Sequence, residues 1–318
     1  MRICFLSKQF NPNGGGSERY AFEIASALAR RGNDVDVFAL GQEASLNDTD
    51  LPDNLDVTIV AKRHRYLVTF ETLYYSILTR GTVEFNDYDI IHGTLMPASP
   101  IALTISSPST PIVVTSHGSS IGEVRSHKLE VPTDYLKKLF FHPMNVGMDI
   151  ATMHCCSQIV AISSIAQQEL ERYYPVNQAS VSLIPHGVDI ERFHPDQSLH
   201  QAVDPDSLTL LHVGRLVSRK HIDLAFKLLS TIERDNIELL VAGSGTHHER
   251  LKELAEQLSI SKKVSFLGFV PEDELASLYA SSDLFLFFSR YEGFGLTFLE
   301  AMASGTPVVG VPTGGFPD

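Results

Sequence analysis

The 318-residue chain contains no tryptophan, so any aromatic platform for a sugar or a base must come from its 18 Phe and 10 Tyr. Cysteine is almost as scarce, with Cys4, Cys155 and Cys156 alone. An odd count with an adjacent pair is no disulfide framework and reads as a reducing, cytoplasmic compartment. Basic charge is also short: 25 Lys and Arg stand against 38 Asp and Glu, a formal net charge of -13. Nucleic-acid binders carry the opposite excess, which excludes nucleic acid as a partner. No apolar run is long enough for a transmembrane helix, and the apolar start is too short for a signal-peptide core. Low-complexity tracts are missing too. What remains is the composition of an ordinary folded protein, 43% hydrophobic and 20% charged, long enough for about two domains.

Short β-rich runs alternate with helical patterns along the whole chain, which predicts an α/β fold with parallel sheets. In the first half, strands are expected at 2–7, 34–40, 57–61, 89–92, 111–116, 158–162 and 181–184. Helices are expected there at 17–30, 66–80, 98–106, 133–155 and 164–173. Ser164 with Gln167 three residues on suggests a capping box. A polar segment with Pro195 and Pro205 follows Pro185-His186-Gly187. This places a first domain at 1–188, a linker at 189–207 and a second domain at 208–318. The second series has strands at 208–213, 237–242, 264–267, 283–288 and 307–311, and helices at 221–232, 247–258, 272–280 and 295–304. A doubly wound sheet continues with a helix after its last strand, so the pattern predicts further elements beyond Asp318 and an apolar face for them to cover.

The chemistry concentrates in the second series. In open α/β sheets, ligands sit at the carboxyl ends of strands. Three turns there carry suitable groups. Gly214-Arg215-Leu216-Val217-Ser218-Arg219-Lys220 offers cations for a pyrophosphate, Arg as a planar fork and Lys as a point charge. Gly243-Ser244-Gly245 lets a backbone approach closely. Glu292-Gly293-Phe294-Gly295-Leu296 opens a helix whose free N–H groups suit phosphate. Glu300 follows Glu292 by about two helical turns, and carboxylates suit hydroxyl-rich ligands.

These motifs, in this order, resemble the retaining glycosyltransferases of the GT-B fold, in particular glycosyltransferase family 4. The matching pieces are Gly214-Arg215-Leu216 with Lys220, Gly243-Ser244-Gly245, Phe266-Leu267-Gly268-Phe269-Val270, Glu292-x7-Glu300, and Ala301 to Val309. Ile184 to Asp189 is similar to the family's linker motif, Gly14-Gly15-Gly16 to its glycine-rich loop, and His117-Gly118 to its sugar-site histidine. The resemblance implies two Rossmann-like parallel-sheet domains facing each other across a cleft, the second incomplete here. It implies metal-independent, retaining transfer of a sugar from a nucleotide donor, UDP- or GDP-linked, to an acceptor hydroxyl, with no cofactor. Arg215 and Lys220 would hold the diphosphate, and Gly15 and Gly16 would approach it. Glu300 would bind the ribose. Glu292, with Gly293, Phe294, Gly295 and Leu296, would hold the sugar. His117 would line the sugar pocket, with Gly243 and Val270 near the donor. Catalysis is expected of His117, Glu292, Arg215 and Lys220. The acceptor would be a glycan, a lipid-linked molecule or a small molecule. The chain departs from the pattern at His221, where the family has Gly, at His186, where it has Asn, and at Asp318, where it commonly has Glu.

Other readings stand beside this one. A nucleotide-sugar epimerase or a non-catalytic relative would share the fold. Gly118-Ser119-Ser120-Ile121-Gly122 matches the nucleophile elbow of serine hydrolases, with Ser120 as nucleophile. Gly14 and Gly16 fit two positions of the dinucleotide fingerprint, but Arg19 breaks the third. The scattered Asp-x-Asp pairs and contiguous His154-Cys155-Cys156 do not make a metal site. Lys62-Arg63-His64-Arg65 and Lys137-Lys138 flank apolar residues and suit either a solvated surface or a peripheral contact with the inner face of an anionic membrane.

Overall fold

The computed structural model describes residues 1–12, 14–41, 51–61, 71–94, 109–126 and 142–318. The helix expected at 98–106, both basic runs, and the first parts of the helices expected at 66–80 and 133–155 lie outside the described residues. The chain divides into two compact units, whose principal segments are Met1–Arg125 with Leu129–Pro185, and His186–Asp318.

The first unit holds β1 (Arg2–Leu6), α1 (Gly16–Arg30), β2 (Asp34–Leu40), β3 (Leu55–Ala61), α2 (Glu71–Thr82), β4 (Ile90–Thr94), β5 (Ile112–Ser116), α3 (Ser120–Ser126), α4 (His142–Cys155), β6 (Gln158–Ala161), α5 (Ser164–Tyr173) and β7 (Val181–Leu183). Its strands form one sheet in the order β3-β2-β1-β4-β5-β6-β7, with every neighbouring pair parallel. Strands covered on both faces read as continuous apolar runs rather than alternating ones, and Cys4, Phe5 and Leu6 of β1 are fully buried. The α5 cap differs from the expected box. Ser163, extended at φ -153, is the N-cap, and its hydroxyl accepts from the Ala166 N–H. Gln167 lies one residue too far for the box and bonds Glu171 instead.

The second unit holds β8 (Leu208–Val213), α6 (Ile222–Ser230), β9 (Ile237–Ala242), α7 (His248–Gln257), β10 (Val264–Gly268), α8 (Glu272–Ala280), β11 (Leu284–Phe287), α9 (Leu296–Ala303) and β12 (Val308–Gly310). The sheet order is β10-β9-β8-β11-β12, again parallel throughout. The order reverses between β8 and β11, where a crevice opens past the strand ends. The polar stretch 189–207 is built into this unit. Phe193 is fully buried with its ring 6.0 Å from that of Tyr279. Arg192 pairs with Glu272 on α8 at 2.7 Å, and the Ser281 hydroxyl accepts from the His200 N–H.

His221 sits in the left-handed region, φ 53 and ψ 37, between a 3-10 turn at Ser218–Lys220 and α6. Only glycine adopts that conformation without steric cost, which explains physically why a glycine is at home there. His221→Gly is expected to stabilise the second unit by ~1 kcal/mol. A higher urea midpoint for that unit's transition would show it; an unchanged or lower midpoint would mean that the imidazole's own contacts offset the strain.

Candidate functional site

In the second unit, the turns after β8, β9 and β10 are laced together by backbone. The Gly214 N–H donates to the Ala242 carbonyl at 2.9 Å, Leu216 N–H to Ser244 at 2.9 Å, and Gly243 N–H to Gly268 at 2.6 Å. The glycines are there for this approach. A Cβ at Gly243, whose φ is +128, would overlap the Gly214 carbonyl, and one at Gly245 would overlap the Leu216 backbone. The partner that the Gly243 turn admits in this structure is therefore the neighbouring turn. Gly243→Ala is expected to cost ~3 kcal/mol through backbone strain and collision, read as a lowered urea midpoint of the second unit.

The β8 turn then carries its cations over the crevice. Leu216 is fully buried and anchors it. The Arg215 guanidinium is exposed. Lys220 is 8% exposed, and its Nζ lies 2.5 Å from Glu292 Oε1. Arg219 Nη1 reaches the same oxygen at 3.2 Å and donates to the Tyr291 carbonyl at 3.0 Å. The Arg290 N–H closes the loop onto the Arg219 carbonyl. Parallel neighbours β8 and β11 thus deliver Lys220 and Glu292 to one point.

Burial by itself would raise the Glu292 carboxyl, but Lys220 and Arg219 outweigh it and hold the carboxyl below its ordinary value. Burial pushes the Lys220 ammonium down against the pull of Glu292, and Arg219 and Arg215 add to the fall. The result is a buried carboxylate matched by two cations, with Arg215 beside them at the surface.

The loop that presents Glu292 is closely packed for identifiable reasons. Gly295 caps α9 at φ 104, and a Cβ there would press on the Phe287 and Phe298 rings. Phe294 is buried, meets the His186 ring edge-on at 5.1 Å, and accepts the Gly315 N–H on its carbonyl. Gly314 and Gly315 lie so close that a Cβ on either would collide with Phe294. His186 therefore packs against the loop, and burial lowers its imidazole to about 4. Gly293 and Leu296 lie half-buried on either side.

Glu300 stands apart from Glu292, in the body of α9. It is 4% exposed and accepts the Tyr279 hydroxyl at 3.0 Å. Val270 is half-buried beside exposed Phe269 after β10.

In the first unit, Gly15 is the N-cap of α1 and donates its N–H to Glu18 Oε2 at 3.1 Å. A Cβ at Gly14 would overlap the Glu18 side chain, whereas the same atom at Gly15 would meet open space. Gly16 begins the helix, exposed. His117, after β5, meets the Tyr20 ring edge-on at 4.5 Å. The Tyr20 hydroxyl pairs with Thr115 Oγ1 at 2.8 Å, which also pairs with His92 Nε2 at 2.9 Å. The Gly118–Gly122 turn does join a strand to a helix. Among the described residues, Glu169 accepts from the Ser119 hydroxyl, Asp149 from the Ser120 N–H, and the Tyr174 hydroxyl from the Ile121 N–H. Among the described residues no three His, Cys, Asp or Glu side chains gather as a metal site.

Sequence reasoning passed over Arg219 as a Glu292 partner. The Arg219-Lys220 dipeptide signalled it, but which cation faces the crevice depends on the 3-10 turn.

Known proteins bear on this geometry. The model of Glycosyltransferase Family 4 matches residues 14–192, and that of the glycosyl transferases group 1 matches 196–318. An uncharacterised glycosyltransferase of Methanocaldococcus jannaschii is 29% identical over 99% of this chain and 81% of its own. Mannosylfructose-phosphate synthase of Agrobacterium fabrum is 27% identical over 95% of this chain and 72% of its own. Among solved structures, sucrose-phosphate synthase from Thermosynechococcus elongatus superposes with a TM-score of 0.82 at 21% identity, covering 99% of this chain and 82% of that one. HepE of Anabaena, in complex with UDP and glucose, gives 0.71 at 20% identity over 99% and 82%. A family model that takes in more than half of the chain, a second that takes in nearly all the rest, and two parallel sheets of this order agree: the chain belongs to glycosyltransferase family 4 and has the GT-B fold.

Proposed function

We propose that the protein is a retaining, metal-independent glycosyltransferase that moves a sugar from a nucleoside diphosphate donor to an acceptor hydroxyl. The observation that carries this reading is the buried Lys220–Glu292 contact at the β8/β11 switch point, with Arg215 exposed beside it. Here Arg215 and Lys220 take the diphosphate, and Glu292 with the Gly293–Leu296 backbone takes the sugar hydroxyls. Glu300 takes the ribose, and Val270 and Gly243 flank the nucleotide. In the first unit, the open face of Gly15 suits close approach by a phosphate, Gly16 adds its backbone, and His117 serves the sugar.

The bond from the anomeric carbon to the diphosphate oxygen breaks, and the bond to the acceptor oxygen forms on the same face. The acceptor proton passes to the departing phosphate. Charge growing on that phosphate is met by fixed cations already in place, which is electrostatic stabilisation of the leaving group. The acceptor hydroxyl belongs to a glycan, a lipid-linked molecule or a small molecule. No described helix is long and apolar enough to cross a membrane, and the reading places the enzyme in the cytoplasm, with any membrane contact peripheral.

Calorimetric titration with UDP, GDP and ADP tests the donor site. One nucleoside diphosphate is expected to bind, and Lys220→Ala to abolish that binding. No binding of any of the three would remove the reading. Retention is tested by the anomer first released on slow donor hydrolysis, and metal independence by unchanged turnover in chelator.

A further inference from the structure

His212, on β8, lies beneath this site, and neither the motifs nor the transfer chemistry above gives it a role. It is 3% exposed. Its Nδ1 lies 3.2 Å from the Leu286 carbonyl on β11. A carbonyl only accepts, so Nδ1 carries the hydrogen, and in a neutral ring Nε2 is a bare lone pair. That Nε2 is buried with no hydrogen-bond partner among the described residues. A buried acceptor left unmade is costly and calls for an explanation.

The neighbour of that lone pair is Lys220. Both groups lie against the open face of Gly214: a Cβ there would stand 3.5 Å from Lys220 Nζ and 3.7 Å from His212 Nε2. Burial and the Lys220 charge hold the imidazole down at about 4, against the opposing Leu286 carbonyl and Glu292, so the ring stays a neutral acceptor. An ammonium has three N–H donors. In this structure one goes to Glu292.

We infer that His212 is a positioning residue for Lys220, its Nε2 accepting an ammonium N–H so that the cation keeps its place over Gly214 when a diphosphate draws it away from Glu292. The inference rests on the donor reading above. A Cβ at Gly214 would only touch the two groups at ordinary contact distance, and it is the φ of +151 that favours glycine there.

Two substitutions separate this role from a merely structural one. His212→Asn keeps a donor near the Nδ1 position for the Leu286 carbonyl but removes the acceptor at Nε2. His212→Gln places an amide oxygen near the Nε2 position and gives up the Leu286 contact. A hydrogen bond to a charged group is among the stronger ones, so its loss is expected to weaken binding of UDP, GDP or ADP, whichever binds, about tenfold in His212→Asn. His212→Gln is expected to stay within about threefold of the wild type. The reverse ranking, or two variants that bind as the wild type does, would overturn the inference alone, provided Lys220→Ala still abolishes binding. Absence of nucleotide binding by the wild type would remove the donor reading and this inference together. Nitrogen-15 spectra of histidine-labelled wild-type protein give a check that needs no variant to fold for its outcome, with His212→Asn or His212→Gln used only to assign the signal. With the nucleotide bound, His212 is expected as the Nδ1–H tautomer with a hydrogen-bonded Nε2. An Nε2–H tautomer or an imidazolium would overturn the proposal.

Discussion

Replacing Lys220 by alanine is expected to lower kcat/KM by about a thousandfold, the loss typical of removing one preorganised group that meets developing charge. The argument starts from burial. An exposed lysine acts through water and is screened by salt, whereas Lys220 is 8% exposed and acts where the effective dielectric is lower. Its ammonium is held by the crevice rather than by its own flexible stem, so little reorganisation is needed when the leaving diphosphate gains charge. Lys220→Arg is expected to recover only part of the loss, because the stem packs against Gly214, where a Cβ would already come within 3.4 Å of Lys220 Cε, and a guanidinium is wider than an ammonium. Steady-state kinetics on the three proteins, with circular dichroism as the fold control, decide the matter. A Lys220→Ala enzyme within a few-fold of the wild type would take the leaving-group role away from this residue.

Much of this site is open to reading from the chain because its parts obey local rules. β8, β9 and α8 follow from apolar runs and helical periods and appear at the residues expected, and the glycine turns mark where strands end. The family order of motifs by itself places Arg215, Lys220 and Glu292 in turns that follow strands, and Glu300 in the helix beyond. What the chain does not disclose depends on contacts between distant residues. Gly243 reads as a place for a ligand, yet its missing side chain makes room for the Gly214 carbonyl. The stretch 189–207 reads as a linker because it is polar, yet one buried ring, Phe193, and one ion pair, Arg192 with Glu272, tie it to α8. Glu292 and Glu300 look alike in sequence, but one faces two cations and the other a tyrosine hydroxyl. His212 carries no motif at all; only the pairing of β8 with β11 gives its Nδ1 a carbonyl and leaves its Nε2 facing Gly214.

Glu292→Gln is expected to cost about 3 kcal/mol of stability at neutral pH as well as most of the activity, since removing one partner of a buried pair leaves the other charges uncompensated. Here two cations, Lys220 and Arg219, lose the same carboxylate. The sign of the pH dependence follows from the carboxyl's environment. Burial by itself would raise it, and the two cations outweigh that and hold it below its ordinary value. A carboxyl lowered in the folded state contributes stability above its unfolded value of ~4.3, and loses it as pH falls through the folded value. A protonated Glu292 carboxyl is neutral and close in shape to the amide that Glu292→Gln introduces, so acid converts the wild type into a near-equivalent of its own variant. The two denaturation curves are therefore expected to stand well apart at pH 7 and to converge below the ordinary carboxylate range. Lys220 adds a rise of the same sign at alkaline pH: its ammonium is pushed down mainly by burial, so the folded protein gains stability as that charge is removed on the way to ~10.4. In Glu292→Gln, with the carboxylate gone, the ammonium falls further, and this alkaline rise begins at lower pH than in the wild type. Urea unfolding of the second unit at a series of pH values tests both limbs at once. A gap between wild type and variant that stays constant from acid to alkali would place the loss in packing rather than in the charge of this pair.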